Sequence, residues 1–215
     1  AGNLTAGNNV TIEAATTLNC GNLNAENNIA LTANNGNTNS LILDAGNDID
    51  ISTTDFMTNE IIAGHDINTD ANGSIMAIIA RAGNDLNLES VTGGIQALIT
   101  FAGNYMTLLA DGSIENMIAA SGNAINMVSR NGDITTIIAN ANAEVNLHAD
   151  NGDLTAGSVL SSDNISLSAQ NMDVLSAIAP GNVSIDIFGE QGTLVNVEAG
   201  QSLTLNANNA QVVTG

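Results

Sequence analysis

Short bursts in which apolar and polar residues alternate recur along the whole chain. Val10-Thr11-Ile12, Ile49-Asp50-Ile51 and Leu86-Asn87-Leu88 are examples, and each follows an Ala-Gly-Asn-x tetrapeptide (Ala6-Gly7-Asn8-Asn9, Ala45-Gly46-Asn47-Asp48, Ala82-Gly83-Asn84-Asp85). The first apolar residue of each burst falls at Val10, Ile29, Ile49, Ile67, Leu86, Met106, Ile125, Val145, Ile165, Val183 and Leu203, at intervals of 18 to 20 residues. A second punctuated burst lies between successive markers. It reads Asn72-Gly73-Ser74-Ile75, Asp111-Gly112-Ser113-Ile114, Asn131-Gly132-Asp133-Ile134 and Asn151-Gly152-Asp153-Leu154. Alternation with period two is the signature of a half-buried strand. Fixed self-similarity at this period points to a solenoid.

Each repeat thus holds two turn-plus-strand units. Gly and Asn before each strand are expected to supply left-handed backbone for sharp turns. The high Gly, Asn and Thr content, with no apolar stripe of period 3.6, disfavours helix. One repeat cannot bury its own apolar face, so repeats must stack. The fold class that follows is all-β: a right-handed single-stranded parallel β-helix (β-solenoid) of about 11 rungs of 18–20 residues, occupying 1–215 as a single domain. At a strand spacing of about 4.8 Å, the rod would be roughly 50 Å long.

Stacking places equivalent residues in rows. The marker residues form one inward core row. A companion row two positions later is apolar except at Thr69. The residue between them faces outward and is small and polar in most repeats. Asn8, Asn27, Asn47, Asn84, Asn104 and Asn123, with His65, Asp163 and Gln201 at the same position, are expected to form an amide ladder between rungs. Apolar pairs follow the second motif: Ile61-Ile62, Ile78-Ile79, Leu98-Ile99, Met117-Ile118 and Ile137-Ile138. Adjacent residues cannot both point inward along a regular strand. Either a bend turns both into a core corner, which is the preferred expectation, or Ile62, Ile79, Ile99, Ile118 and Ile138 form an exposed apolar stripe for lateral packing or a partner.

Composition narrows the function. Asp and Glu total 22, the only Lys or Arg residues are Arg81 and Arg130, and the formal charge is -20. Such a chain repels nucleic acid and anionic membrane surfaces, and salt bridges cannot be what stabilises it. Cys20 is the one cysteine, which excludes an intrachain disulfide, and is expected to be a small buried apolar residue. No apolar run approaches the roughly 18 residues of a membrane span, so no membrane insertion is expected. Asp48, Asp66 and Asp85 occupy one turn position in three consecutive repeats and are a candidate Ca²⁺ site, though solvated turn caps are the preferred reading. Asp133, Asp150 and Asp153 group at the other turn. His65 and His148 are far apart in repeat order, and no nucleophile adjoins either in sequence. No phosphate-loop, dinucleotide or zinc pattern occurs, so no catalytic residue and no cofactor are expected.

The segments Ala1-Gly2-Asn3-Leu4-Thr5-Ala6-Gly7-Asn8-Asn9-Val10-Thr11-Ile12-Glu13-Ala14 and Asp150-Asn151-Gly152-Asp153-Leu154-Thr155-Ala156-Gly157-Ser158-Val159 resemble the filamentous-haemagglutinin-type repeat. Such repeats build the exoproteins of Gram-negative two-partner secretion, among them adhesins, haemolysins and contact-dependent growth inhibition proteins. The resemblance spans essentially the whole chain. It implies a right-handed parallel β-helix projecting from the outer membrane, secreted to the bacterial cell surface. The implied partners are the rest of the same long exoprotein and a cell-surface receptor or glycan. The chain opens directly on repeat sequence, so a segment of something longer is expected. The secretion and effector regions of that family are not recognisable, and their activities do not carry over. The expected function is a structural and adhesive rod. The alternatives are a self-assembling filament subunit stacked end to end, and a repetitive surface binding glycan or ice. A polysaccharide-active enzyme ranks last, because the chain has almost no aromatic platforms or basic residues.

Overall fold

The computed structural model describes residues 2–207 and the backbone of 211–214. Among these residues every regular element is a strand. The strands stack in parallel into two sheets that run the length of the molecule. The narrow sheet has 11 strands, from Val10–Ala14 through Ile67–Ala71 and Ile125–Ser129 to Ser202–Ala207. The wide sheet has 14, and in its central part these are eight residues long, as in Ile75–Ala82, Ile95–Ala102, Ile114–Ser121 and Ile134–Ala141. The chain alternates between the sheets, so ten turns separate the first narrow strand from the eleventh. This is a β-solenoid.

The register matches the sequence period. Ile67 pairs with Ile49 below and Leu86 above; Leu86 pairs with Met106, and Met106 with Ile125. The marker row is buried from Val10 to Val183. Each fully buried Ile or Leu of this row contributes about 1.5–3 kcal/mol relative to exposure. Leu203 departs from the expected core row: it is 52% exposed. Its strand, Ser202–Ala207, is the end strand of the narrow sheet among the described residues, so it is flanked by a partner strand on one side only. The companion row is also inward, and Thr69 sits in it buried with a hydroxyl that has no hydrogen-bond partner.

The wide strands depart from the expected core corner. In Ile75–Ala82 the inward residues are the first, third, sixth and eighth: Ile75, Ala77, Ala80 and Ala82. The fourth and fifth, Ile78 and Ile79, both turn outward where the strand bends, and the register skips the fourth position between this strand and the next. Outward bending lets small residues line the inside of the corner while the large pair stays outside. Ile79, Ile99, Ile118 and Ile138 form one row, continued below by Glu60 and above by Ser158. Ile62 does not belong to it. Ile62 is the seventh residue of Phe56–Ala63 and lies in register with Arg81, while its neighbour Ile61 is in the core.

The turn glycines also differ from expectation. None of the glycines from Gly2 to Gly189, nor Gly200, adopts left-handed backbone. At Gly64, Gly83, Gly103 and Gly122, a Cβ atom would collide with the carbonyl oxygen of the glycine one rung below. The requirement is close approach of stacked backbones, which a row of glycines satisfies. Gly7, by contrast, has open space around its Cα.

Three outcomes follow for stability, measured by thermal and denaturant unfolding. Gly103→Ala costs about 1–3 kcal/mol through backbone displacement, whereas Gly7→Ala stays within about 0.5 kcal/mol of the parent. Thr69→Val, which replaces an unpaired buried hydroxyl with a methyl of equal size, stabilises by about 1 kcal/mol.

Candidate functional site

The polar chemistry of the molecule gathers along the turns that precede each strand. Adjacent rungs are joined there by a backbone N–H of the later rung donating to an Asn or Asp side chain of the earlier one. Asp48 N donates to Asn28 Oδ1 at 3.1 Å, Asp66 N to Asp48 Oδ1 at 3.2 Å, Asp85 N to Asp66 Oδ1 at 3.0 Å and Tyr105 N to Asp85 Oδ1 at 3.0 Å. The other turn repeats the device. Ser74 N donates to Asp55 Oδ1 at 2.8 Å, Asp153 N to Asp133 Oδ1 at 2.9 Å, and Asn171 N to Asp153 Oδ1 at 3.1 Å. The turn acids are thus caps for N–H groups that the strand ladders do not reach. Charged acceptors make such bonds stronger than neutral ones.

The expected amide ladder is only partly formed. Asn27 Nδ2 donates to Asn8 Oδ1 at 3.2 Å and Asn123 Nδ2 to Asn104 Oδ1 at 3.3 Å. Asn47 turns aside to Asn28 Oδ1 at 3.0 Å and to Asp48, while Asn84 donates to Asp66 Oδ1 at 2.8 Å. The capping oxygens one position along the chain out-compete the neighbouring amide, because they carry charge or are already held in place by a backbone N–H.

The candidate Ca²⁺ trio is redistributed in the same way. Asp48 and Asp66 converge with His65, whose Nδ1 lies 3.1 Å from Asp48 Oδ1 and 3.1 Å from Asp66 Oδ2. Their potential ligand atoms lie within 4.8 Å of one another, whereas Asp85 is outside this group and caps Tyr105. His65 stands where the amide ladder would place Asn, and it bridges two stacked carboxylates that would otherwise repel. Burial on its own would raise the Asp66 pKa. The Asp85 backbone N–H, the Asn84 amide and the His65 imidazole outweigh it and hold the carboxyl below its ordinary value of 3.8.

His148 is central to a contact that sequence inspection missed. It is half exposed, in the strand Val145–Ala149. Its Nδ1 abuts the Ser168 hydroxyl of the next rung, and its Nε2 abuts the Asp150 carboxylate. The signal that would have found Ser168 is the register, which pairs it with His148 twenty residues earlier. The trio has the residue types of a nucleophilic triad. However, Ser168 is only 7% exposed and sits inside an unbroken parallel ladder between His148 and Asp186. Its hydroxyl is out of reach of a substrate, and strand N–H groups there are committed to the ladder. Cys20 is partly rather than fully buried, packed against the core, and burial raises its thiol pKa.

A shallow trough of about 330 Å³ runs over the outer face of the narrow sheet, lined by Asp50, Asn68, Asp70, Asn87 and Glu89 among others. Three of its side chains are bonded in series: Asn68 Nδ2 donates to Asp50 Oδ1 at 3.1 Å and Asn87 Nδ2 to Asn68 Oδ1 at 3.0 Å.

No known family, characterised protein or solved structure matches the chain. The turn network, the outer trough and the apolar ridge of the wide sheet are therefore weighed on their own geometry. The turn network satisfies itself internally: its acids serve the neighbouring rung and its amides serve its acids. That arrangement ties each rung to the next.

The acid response tests this. Asp66 is bound more weakly to protons in the folded chain than in the unfolded one. Its contribution to stability is fully present above the ordinary carboxylate value of 3.8 and is lost as pH falls through the lower folded value. Asp66→Asn keeps an acceptor at the cap but removes the titration. The variant is expected to lose less melting temperature than the parent between neutral pH and pH about 3.

Proposed function

We propose that the chain is a rigid structural rod segment of a large secreted bacterial surface protein, spacing or presenting a distal functional region. The single observation that carries this reading is the unbroken rung-on-rung register of both sheets, from Val10–Ala14 to Ser202–Ala207 in the narrow one. A shaft needs every cross-section to brace the next, and a register without long insertions supplies that. Connections between central strands span only a few residues, as between Ala82 and Leu86 or Ala102 and Met106, which leaves little chain to build a substrate cleft.

Two further features favour an extracellular rod. The net charge of -20 opposes nonspecific clumping of parallel shafts. The Ala-Gly-Asn-x-Φ-x-Φ repeats, where Φ is apolar, resemble filamentous-haemagglutinin-type exoproteins. On this reading the rest of the same exoprotein is the principal partner, and any receptor or glycan is met along the outer faces.

The experiment is surface display. The native full-length protein is labelled on intact cells with an antibody against this segment, with and without brief protease treatment from outside. Labelling that is lost on protease treatment supports the rod at the cell surface. Signal only after cell lysis overturns it. Solution X-ray scattering of the purified segment provides the shape arm, with an elongated particle about 50 Å long expected.

A further inference from the structure

The outer face of the wide sheet carries a feature that a plain spacer does not need. Across the four strands Ile75–Ala82, Ile95–Ala102, Ile114–Ser121 and Ile134–Ala141, the outward residues are mostly large and apolar. The paired rows at the bend, from Ile78-Ile79 to Ile137-Ile138, form a continuous ridge, and Phe101 extends it sideways. In a molecule of charge -20, the outward positions of these four strands hold only two charges, Arg81 and Glu115, which sum to zero. Charge has been kept off this face while it accumulates at the turns.

The two charges are placed unusually. Arg81 is exposed, makes no ion pair within the described chain, and lies in register between Ile62 and Phe101. Among the described residues Glu115 is paired only to the amide of Gln96, at 2.9 Å. Arg81 is the seventh residue of its strand, and Glu115 the second residue of the strand two rungs along. The point midway between them falls on Leu98-Ile99 of the intervening strand. A two-fold axis through that point exchanges the two positions.

We propose that this ridge is a dimer interface, and that its occupant is a second copy of the same chain packed face to face with its own ridge inward, related by a two-fold that lies in the plane of the face and perpendicular to the line from Arg81 to Glu115, so that the two rods cross obliquely. The two-fold places Arg81 of each copy against Glu115 of the other, giving two identical ion pairs around a centre of Leu98 and Ile99. An isologous contact must be self-complementary in this way. An apolar centre with Arg at its margin is the usual anatomy of such an interface. The four eight-residue strands, at about 4.8 Å spacing and about 3.3 Å per residue, present roughly 500 Å² per copy, about 1,000 Å² in total, the size at which specific interfaces begin. The inference concerns lateral pairing and is independent of where the protein resides.

Analytical ultracentrifugation of the 215-residue chain over a concentration series tests it. The expected species is twice the chain mass of 21.8 kDa. Ile99→Glu is expected to sediment as a monomer while keeping the parent's circular dichroism. Arg81→Glu and Glu115→Arg each weaken dimerisation by at least about tenfold, and the doubly exchanged chain Arg81→Glu/Glu115→Arg regains it to within about threefold. A parent chain that is monomeric throughout overturns the proposal. So does a dimer that survives Ile99→Glu, which would mean end-to-end pairing, or a double exchange that fails to recover.

Discussion

Everything in this molecule answers to the distance between one rung and the next. Parallel backbone hydrogen bonding fixes that distance at about 4.8 Å, so each residue type is stacked on its equivalent in the neighbouring rung. Aliphatic rows gain from the constraint, since Ile on Leu on Met excludes water continuously from Val10 to Val183. Other rows are penalised by it. Stacked carboxylates repel, stacked turns crowd, and N–H groups beyond the strand ends have no ladder partner. The sequence meets each penalty at a specific position: His65 between Asp48 and Asp66, glycine at positions 64, 83, 103 and 122, and Asn or Asp before the strands.

The solenoid itself was readable because its period is strong and its core rows are chemically uniform. Two adjacent markers eighteen or twenty residues apart imply the same pairing, and the register Ile49–Ile67–Leu86 follows directly. The bend of the wide strands was not readable in the same way. Ile61-Ile62 and Ile78-Ile79 look alike as dipeptides but occupy different positions of their strands. The first pair straddles the core boundary at Ile61, and the second lies wholly outside. Only the start of each strand, Phe56 or Ile75, fixes the phase. Leu203 was misplaced for a different reason: a row predicts what a residue faces, but not whether a neighbour exists to cover it.

The candidate site shows the same division. Sequence alone brought Asp48 and Asp66 together, because they recur at one turn position. It did not bring in His65, which contributes from one position earlier, nor separate Asp85, whose carboxylate is taken by the Tyr105 N–H. The partner of His148 was hidden because Ser168 is remote in sequence and adjacent only through stacking. In a solenoid the relevant neighbourhood of a residue is its own turn plus the same place one period away. Linear motif reading covers only the first of these.

The turn caps have a direction. In each of them the oxygen belongs to the earlier rung and the N–H to the later one, from Asn3 with Asn22 to Asn171 with Gln191. A finished rung therefore offers fixed acceptors to whatever sequence is translated after it, and asks for nothing in return at those sites. The two ends of the stack are thus chemically unlike at these turns, with bare oxygens on the carboxy-terminal side and bare N–H groups on the amino-terminal side.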